Sequence, residues 1–263
     1  MPSTCGLPPT FGTTARHVPT HGSHRDRYYT GANFFMTSLL PLLLASASPR
    51  RRQIITQLGL PYTVGISPID EDAMQAQYRG TADGMAVWTA TQKAKGALTL
   101  PEAVNRLVIA ADTTVLLDNE VLGKPRDEQH AHELLRSLRG RWHHVVTGVV
   151  AAAIIDNETK LVSASSTTPV LMRSYSDAEI DAYIATGDPL DKAGAYGIQH
   201  SDFQPTERIA GCYLNVVGLP LCTLCDLLAQ FDVYPRSQEA AKAVETDATC
   251  PWSPRCQVIP LGV

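Results

Sequence analysis

Between residues 6 and 211 the chain has no cysteine; its six are Cys5, Cys212, Cys222, Cys225, Cys250 and Cys256. That distribution excludes a disulfide framework for the main body, and a reducing compartment is the simpler reading. Neither GxxxxGK[ST] nor GxGxxG occurs, which removes the P-loop and Rossmann classes. A strong positive charge is missing too. The formal net charge is -4 over 263 residues, which argues against general affinity for nucleic acid but leaves room for a small anionic ligand. No apolar run is long enough for a bilayer. Residues 39–47 are far too short to span one, and they sit behind too long a leader for a signal peptide. Neither membrane insertion nor secretion is expected, and no internal repeat is visible.

What is present centres on residues 42–58, LLLASASPRRRQIITQL. Three leucines and an alanine read as a short buried strand. Ile54, Ile55 and Leu58 follow at helical spacing. Ser48 suits the N-cap, Pro49 the first helical position and Gly59 the C′ position. Arg50, Arg51 and Arg52 therefore fall on a first turn, where cations oppose the helix dipole. Guanidinium forks beside Ser46, Ser48 and free backbone N–H groups suit a phosphate or polyphosphate. The alternative is solvated surface.

Residues 1–36 hold Pro2, Pro8, Pro9 and Pro19 among Ser, Thr, Gly and His, with no helical or strand period. We expect a disordered extension there, either faintly like a transit peptide or a product of a start codon upstream of Met36. The body is expected over 37–232 and a variable tail over 233–263. Within the body, residues 62–66 read as a strand, 70–72 as an acidic loop and 83–99 as a helix from which Lys93 and Lys95 project. Residues 107–111 read as a buried strand ending at Asp112, with a hairpin turn at Asp118-Asn119 after it. A helix capped by Asp127 runs to about Leu138. Residues 144–155 and 160–173 read as a long antiparallel pair joined by a turn at Asp156-Asn157, and Ser176 to Glu179 as a capping box. Residues 191–199, DKAGAYGIQ, form a glycine-rich loop, 213–217 a strand, and Pro220 starts a last helix. Strands and helices mix without strict alternation, which favours a mixed α/β sheet.

Three groups could carry chemistry, and two more are better read as structural. A carboxylate at Asp112 could bind a divalent metal or act as general base on water, or simply form a turn. Lys124, rigidly held between Gly123 and Pro125, could neutralise phosphate or lie at a hairpin end on the surface. Glu71, flanked by Asp70 and Asp72, could be a ligand for a hard cation or part of a solvated loop. Cys222 and Cys225 lack the second pair a zinc site needs; Cys225 shares a helical stripe with Leu221, Leu224 and Leu228, so buried core is the better reading. His143 has no nearby nucleophile motif and reads as structural.

Taken together, the ordered blocks Ser46-Ala47-Ser48-Pro49-Arg50-Arg51, Ile69-Asp70-Glu71, Lys93, Ala111-Asp112-Thr113, Gly123-Lys124-Pro125, His143-x-x-x-Thr147-Gly148, DKAGAYGIQ and VVGLPL resemble the Maf family of nucleoside triphosphate pyrophosphatases, over about residues 42–228. The resemblance implies an elongated mixed sheet with flanking helices and a deep cleft between two lobes, and often a homodimer. It also implies a cytoplasmic hydrolase that cuts a nucleoside triphosphate between its α and β phosphates with a divalent metal, Mg²⁺ or Mn²⁺. Arg51, Lys93 and Lys124 would hold phosphates, Glu71 and Asp112 the metal, and Asp112 would be the base. Members that prefer dTTP and UTP carry an arginine, a threonine and a glutamine where this chain has Arg50, Thr113 and Gln199. Members that prefer 7-methyl-GTP tend to carry an aromatic, a glutamine and a glutamate. One small departure is Gln53, where the family often has glutamate. The competing expectations are a pyrophosphatase for modified purine nucleotides and a non-catalytic nucleotide-binding regulator of septum formation.

Overall fold

The computed structural model describes residues 40–235. The extension expected over 1–36 lies outside the described residues, as do the tail beyond residue 235 and Cys5, Cys250 and Cys256. Seven strands form one sheet: β1 (Leu42–Leu44), β2 (Tyr62–Val64), β3 (Leu107–Leu117), β4 (Glu120–Leu122), β5 (Trp142–Ile155), β6 (Glu158–Met172) and β7 (Thr206–Ile209). Their order is β2-β1-β3-β5-β6-β7, with β4 also paired to β3. β1 runs parallel to β2 and β3, and every other pairing is antiparallel. The expected mixed sheet is the one observed. Both predicted hairpin turns form. Asp118 and Asn119 have φ of 52° and 66°, and Asp156 and Asn157 have 51° and 64°; Asp and Asn tolerate this left-handed region, and it matches the strands' twist.

Alternation along β3 sorts the core. Leu107, Ile109 and Ala111 join Ile54, Ile55 and Leu58 of α1 (Pro49–Ile55) and its following turn, with Leu221, Leu224 and Leu228 of α7 (Leu221–Ala229). Val108 and Ala110 face the other way, onto Ala90, Ala94 and Ala97 of α3 (Met85–Ala97). Successive side chains on a strand point to opposite faces. Asp112 therefore belongs to the α3 face and Thr113 to the α1 face. Further along, Val115 and Leu117 enter a third cluster with α4 (Glu128–Leu138) and α5 (Asp177–Ile184). Two apolar clusters thus share one face of the sheet, with Thr113 at the boundary between them.

Asp112 does not end its strand as expected; β3 continues to Leu117. What ends is its neighbour. On one side β3 pairs with β5 throughout, from Val108 to Leu116. On the other, β1 pairs only as far as Ile109, and β4 begins at Val115. Residues 110–114 border the gap between them, so a mid-strand aspartate reaches the cleft although it stays largely buried.

The helix α3 can approach this sheet because residue 148, opposite Asp112 in register, is glycine. A Cβ there would lie 2.4 Å from the Val87 backbone nitrogen and 2.5 Å from the Ala86 carbonyl carbon. Two expectations fail nearby. Residues 70–72 are not wholly loop: Glu71 begins a short helix, α2 (Glu71–Gln75), and Asp70 Oδ1 accepts from Ala73 N at 3.0 Å. Tyr213–Val217 is a helix, α6, not a strand. Cys212 Sγ accepts from Asn215 N at its start, and Gly218, at φ 120°, ends it. The Val216-Val217 pair read as β, but local capping prevails.

Candidate active site

A cavity of about 730 Å³ opens at the gap beside β3, within the usual size for a small-molecule site. Ser46, Ser48, Arg50, Arg51, Glu71, Lys93, Asp112, Thr113, Lys124 and Gln199 all line it. Every site residue picked from the sequence therefore meets in one place, although the chain separates the first from the last by more than half its length.

The β1–α1 turn is built as its sequence dictates. Ser48 caps α1, its Oγ accepting from Arg51 N at 3.4 Å, and Pro49 opens the helix. Ser46 Oγ accepts from Ser48 N at 3.2 Å. Each serine oxygen thus serves the turn as an acceptor, which leaves its hydroxyl proton for a ligand. Arg51 is part-buried and anchored across the cleft: its Nε donates to Gly218 O at 2.8 Å and Nη2 to Thr113 Oγ1 at 3.0 Å. Burial lowers its pKa from the ordinary arginine value, while the charges of Asp112 and Glu71 act in the opposite direction. Lys124 is exposed at the β4 end of the cleft, with no ion pair to it among the described residues.

On the opposite face of β3 the arrangement departs from expectation. Lys93 does not project from α3. It is buried on the same stripe as Ala86, Ala90 and Ala94, while Lys95 is exposed. Its Nζ lies 2.7 Å from Asp112 Oδ1 and 2.8 Å from Glu71 Oε2. The Asp112 side chain is 9% exposed and the Glu71 side chain 44%. A buried ammonium between two carboxylates leaves the trio with one net negative charge. Each carboxylate spends one oxygen on Lys93. Asp112 Oδ2 and Glu71 Oε1 have no other hydrogen bond among the described residues. Among the described residues no group of three or more His, Cys, Asp or Glu could enclose an ion.

The far wall of the cleft comes from the glycine-rich loop. Tyr183 OH donates to Asp188 Oδ2 at 2.6 Å and accepts from Gly197 N at 2.9 Å, which fixes the backbone just before Gln199. Lys192 Nζ lies 2.9 Å from Asp188 Oδ1 and 2.7 Å from Asp191 Oδ1. These three charged residues also line the cavity; Asp191 and Lys192 belong to the loop read from the sequence, whereas Asp188 precedes it. His143 is structural as read, its Nε2 paired with Tyr196 OH at 2.6 Å. Burial drops its pKa to about 3. Cys225 is a free thiol, and burial pushes its pKa up to about 12. Cys222 packs, partly buried, against the same core cluster as Cys225. No helix among the described residues is long and apolar enough to cross a membrane.

Comparison with known proteins agrees with this geometry. The family model described as Maf-like protein matches residues 41–231. A dTTP/UTP pyrophosphatase from Thermomicrobium roseum is 40% identical over 223 residues, covering 85% of this chain and 94% of the relative. One from Dictyoglomus turgidum is 42% identical over 190 residues, covering 72% and 95%. One from Desulfotalea psychrophila is 43% identical over 194 residues, covering 73% and 95%.

Proposed function

This chain belongs to the Maf family, and from that premise we propose that it hydrolyses dTTP and UTP to the nucleoside monophosphate and pyrophosphate. The observation that carries the reading is the pairing of charges across β3. A carboxylate buried at the cleft floor stands on one face, and Arg51 and Thr113 stand on the other. Pure anion binding needs cations, whereas two carboxylates lining the cleft serve a reaction that moves a proton.

In this reading Arg50, Arg51, Lys124 and the hydroxyls of Ser46 and Ser48 hold the triphosphate and offset its charge as water attacks the α phosphorus. Asp112 accepts the proton of that water through the oxygen that Lys93 leaves uncommitted. Lys93, committed to two carboxylates, orients the base rather than gripping phosphate. A divalent cation fits the donor set: Asp112 and Glu71 offer hard oxygens, and Mg²⁺ or Mn²⁺ completes such a site with water and phosphate oxygens. When bound it would supply charge neutralisation and polarisation at the phosphoryl oxygens.

Selectivity rests on Arg50, Thr113 and Gln199, which line the cavity together. The amide of Gln199 offers both a donor and an acceptor, matching the mixed edge of uracil or thymine. Residues 37–232 would form the functional unit, acting in the cytoplasm where its substrates are, as a homodimer in line with the family. The position of bond cleavage tests the chemistry. Incubation with dTTP and Mg²⁺ yields dTMP and pyrophosphate; release of dTDP and inorganic phosphate instead would refute it.

A further inference from the structure

Behind Arg51 lies a chain of buried polar groups whose proton directions are fixed by chemistry. Arg51 Nη2 can only donate, so Thr113 Oγ1 accepts at 3.0 Å. At the far end, Thr147 Oγ1 meets the Asn215 carbonyl at 2.9 Å, and a carbonyl can only accept. Thr147 has therefore spent its single proton. The intervening contact, Thr113 Oγ1 to Thr147 Oγ1 at 3.0 Å, must then be donated by Thr113. The register explains the contact, because Thr113 and Thr147 are directly paired residues of β3 and β5.

The terminal acceptor exists because of how α6 ends. Gly218 N and Leu219 N both donate to Leu214 O, so no backbone group takes the Asn215 carbonyl. Helix ends leave such orphan acceptors, and Thr147 fills this one. Asn215 is itself held in place, with Nδ2 donating to Val145 O and Thr168 Oγ1, both at 2.9 Å. A flipped amide would set its oxygen against the Val145 carbonyl, so the orientation is unambiguous. Thr147 and Asn215 are both fully buried, at 0% exposure, and Thr147 does not line the cavity.

We propose that Thr147 and Asn215 are positioning residues that orient Arg51 toward substrate through a one-way relay of hydroxyl protons. The proposal rests on the reading of Arg51 as a phosphate holder. Two bonds, to Gly218 O and to Thr113, fix the guanidinium plane and leave three N–H donors for an anion. A corollary concerns Thr113. Its proton is committed to Thr147, so it has none to give a nucleobase. Its influence on substrate choice runs through shape and through the set of Arg51.

The test reads binding of inorganic triphosphate by calorimetry for the intact protein and for Thr147→Val, Thr147→Ser, Arg51→Lys and the double variant Arg51→Lys/Thr147→Val. Loss of a hydrogen bond that orders a charged group predicts about tenfold weaker binding for Thr147→Val, with Thr147→Ser close to the parent. On the Arg51→Lys background the same change costs less than about twofold, because the coupled partner is gone. An equal factor on both backgrounds, or no change on the parent, overturns the relay. Should Thr147→Val fail to fold, Thr113→Val interrupts the same relay and carries the same expectation. The two claims fail separately. Coupling in triphosphate binding without cleavage of dTTP or UTP leaves the relay standing and defeats the proposed reaction. Cleavage without coupling does the reverse.

Discussion

Replacing Lys93 with methionine keeps most of the unbranched apolar stem and removes the ammonium group that Asp112 and Glu71 share. The structure makes the cost calculable. Lys93 Nζ and Asp112 Oδ1 are 2.7 Å apart, with side-chain exposures of 7% and 9%. At that spacing and an effective dielectric constant of about 20, the attraction is roughly 6 kcal/mol before desolvation is subtracted. Removing one partner of such a buried pair strands the other, and typically costs about 3–5 kcal/mol. The Glu71 contact adds little to this figure, because its carboxylate is 44% exposed and screened by water. Urea unfolding of Lys93→Met should therefore show a loss of about 3–5 kcal/mol. Asp112→Asn should lose less, since its lysine keeps Glu71 as a partner. The double variant Lys93→Met/Asp112→Asn should recover part of the loss, because no buried charge remains unpaired. A Lys93→Met protein within about 1 kcal/mol of the parent would refute the claim that the ammonium compensates Asp112.

The same aspartate is expected to govern turnover: Asp112→Asn should lower pyrophosphate release by about 10²–10⁴ with the fold intact by circular dichroism, and near-normal turnover would remove it from the role of base. Gly148→Ala drives a Cβ into the α3 backbone at 2.4 Å; it should destabilise by about 3 kcal/mol in thermal unfolding and depress activity by shifting Lys93. His143 supplies a pH dependence. Burial holds its folded pKa at about 3, below the unfolded value, so the unfolded state binds more protons between the two. Its contribution is complete above about pH 6.5 and falls by about 1.4 kcal/mol per unit as pH drops toward 3. Denaturant titrations from pH 7 to 5 should lose about 2 kcal/mol that His143→Phe does not lose.

The parts of this protein that could be read from its sequence are those decided locally. Ser48, Pro49 and Gly59 set the limits of the arginine helix, and Asp118-Asn119 and Asp156-Asn157 each form the turn their residue types demand. The parts that could not were decided by packing between distant segments. Lys93 reads as a surface lysine until the sheet places Asp112 beneath α3, and only Gly148 lets the two approach. Asp112 sits mid-strand and buried, and its access to the cleft depends on where β1 and β4 stop. Tyr213–Val217 carries β-branched residues, yet a cysteine cap and a glycine at positive φ make it helical. The catalytic reading drew on residue types that water would normally solvate: arginines on a helix's first turn, a carboxylate after an apolar run, a lysine fixed beside a proline. Thr147 and Asn215 gave no such signal, because neutral side chains within apolar segments look like ordinary core.

The most direct test of the central claim is pyrophosphate release from a panel of dTTP, UTP, 7-methyl-GTP and inosine triphosphate with Mg²⁺ present. The account predicts cleavage of dTTP and UTP, and rates for the two purine nucleotides lower by orders of magnitude, since a buried hydrogen-bonding site rejects a mismatched edge by up to about 10⁴. Faster cleavage of 7-methyl-GTP or inosine triphosphate than of either pyrimidine nucleotide, or no release from any of the four, would contradict it.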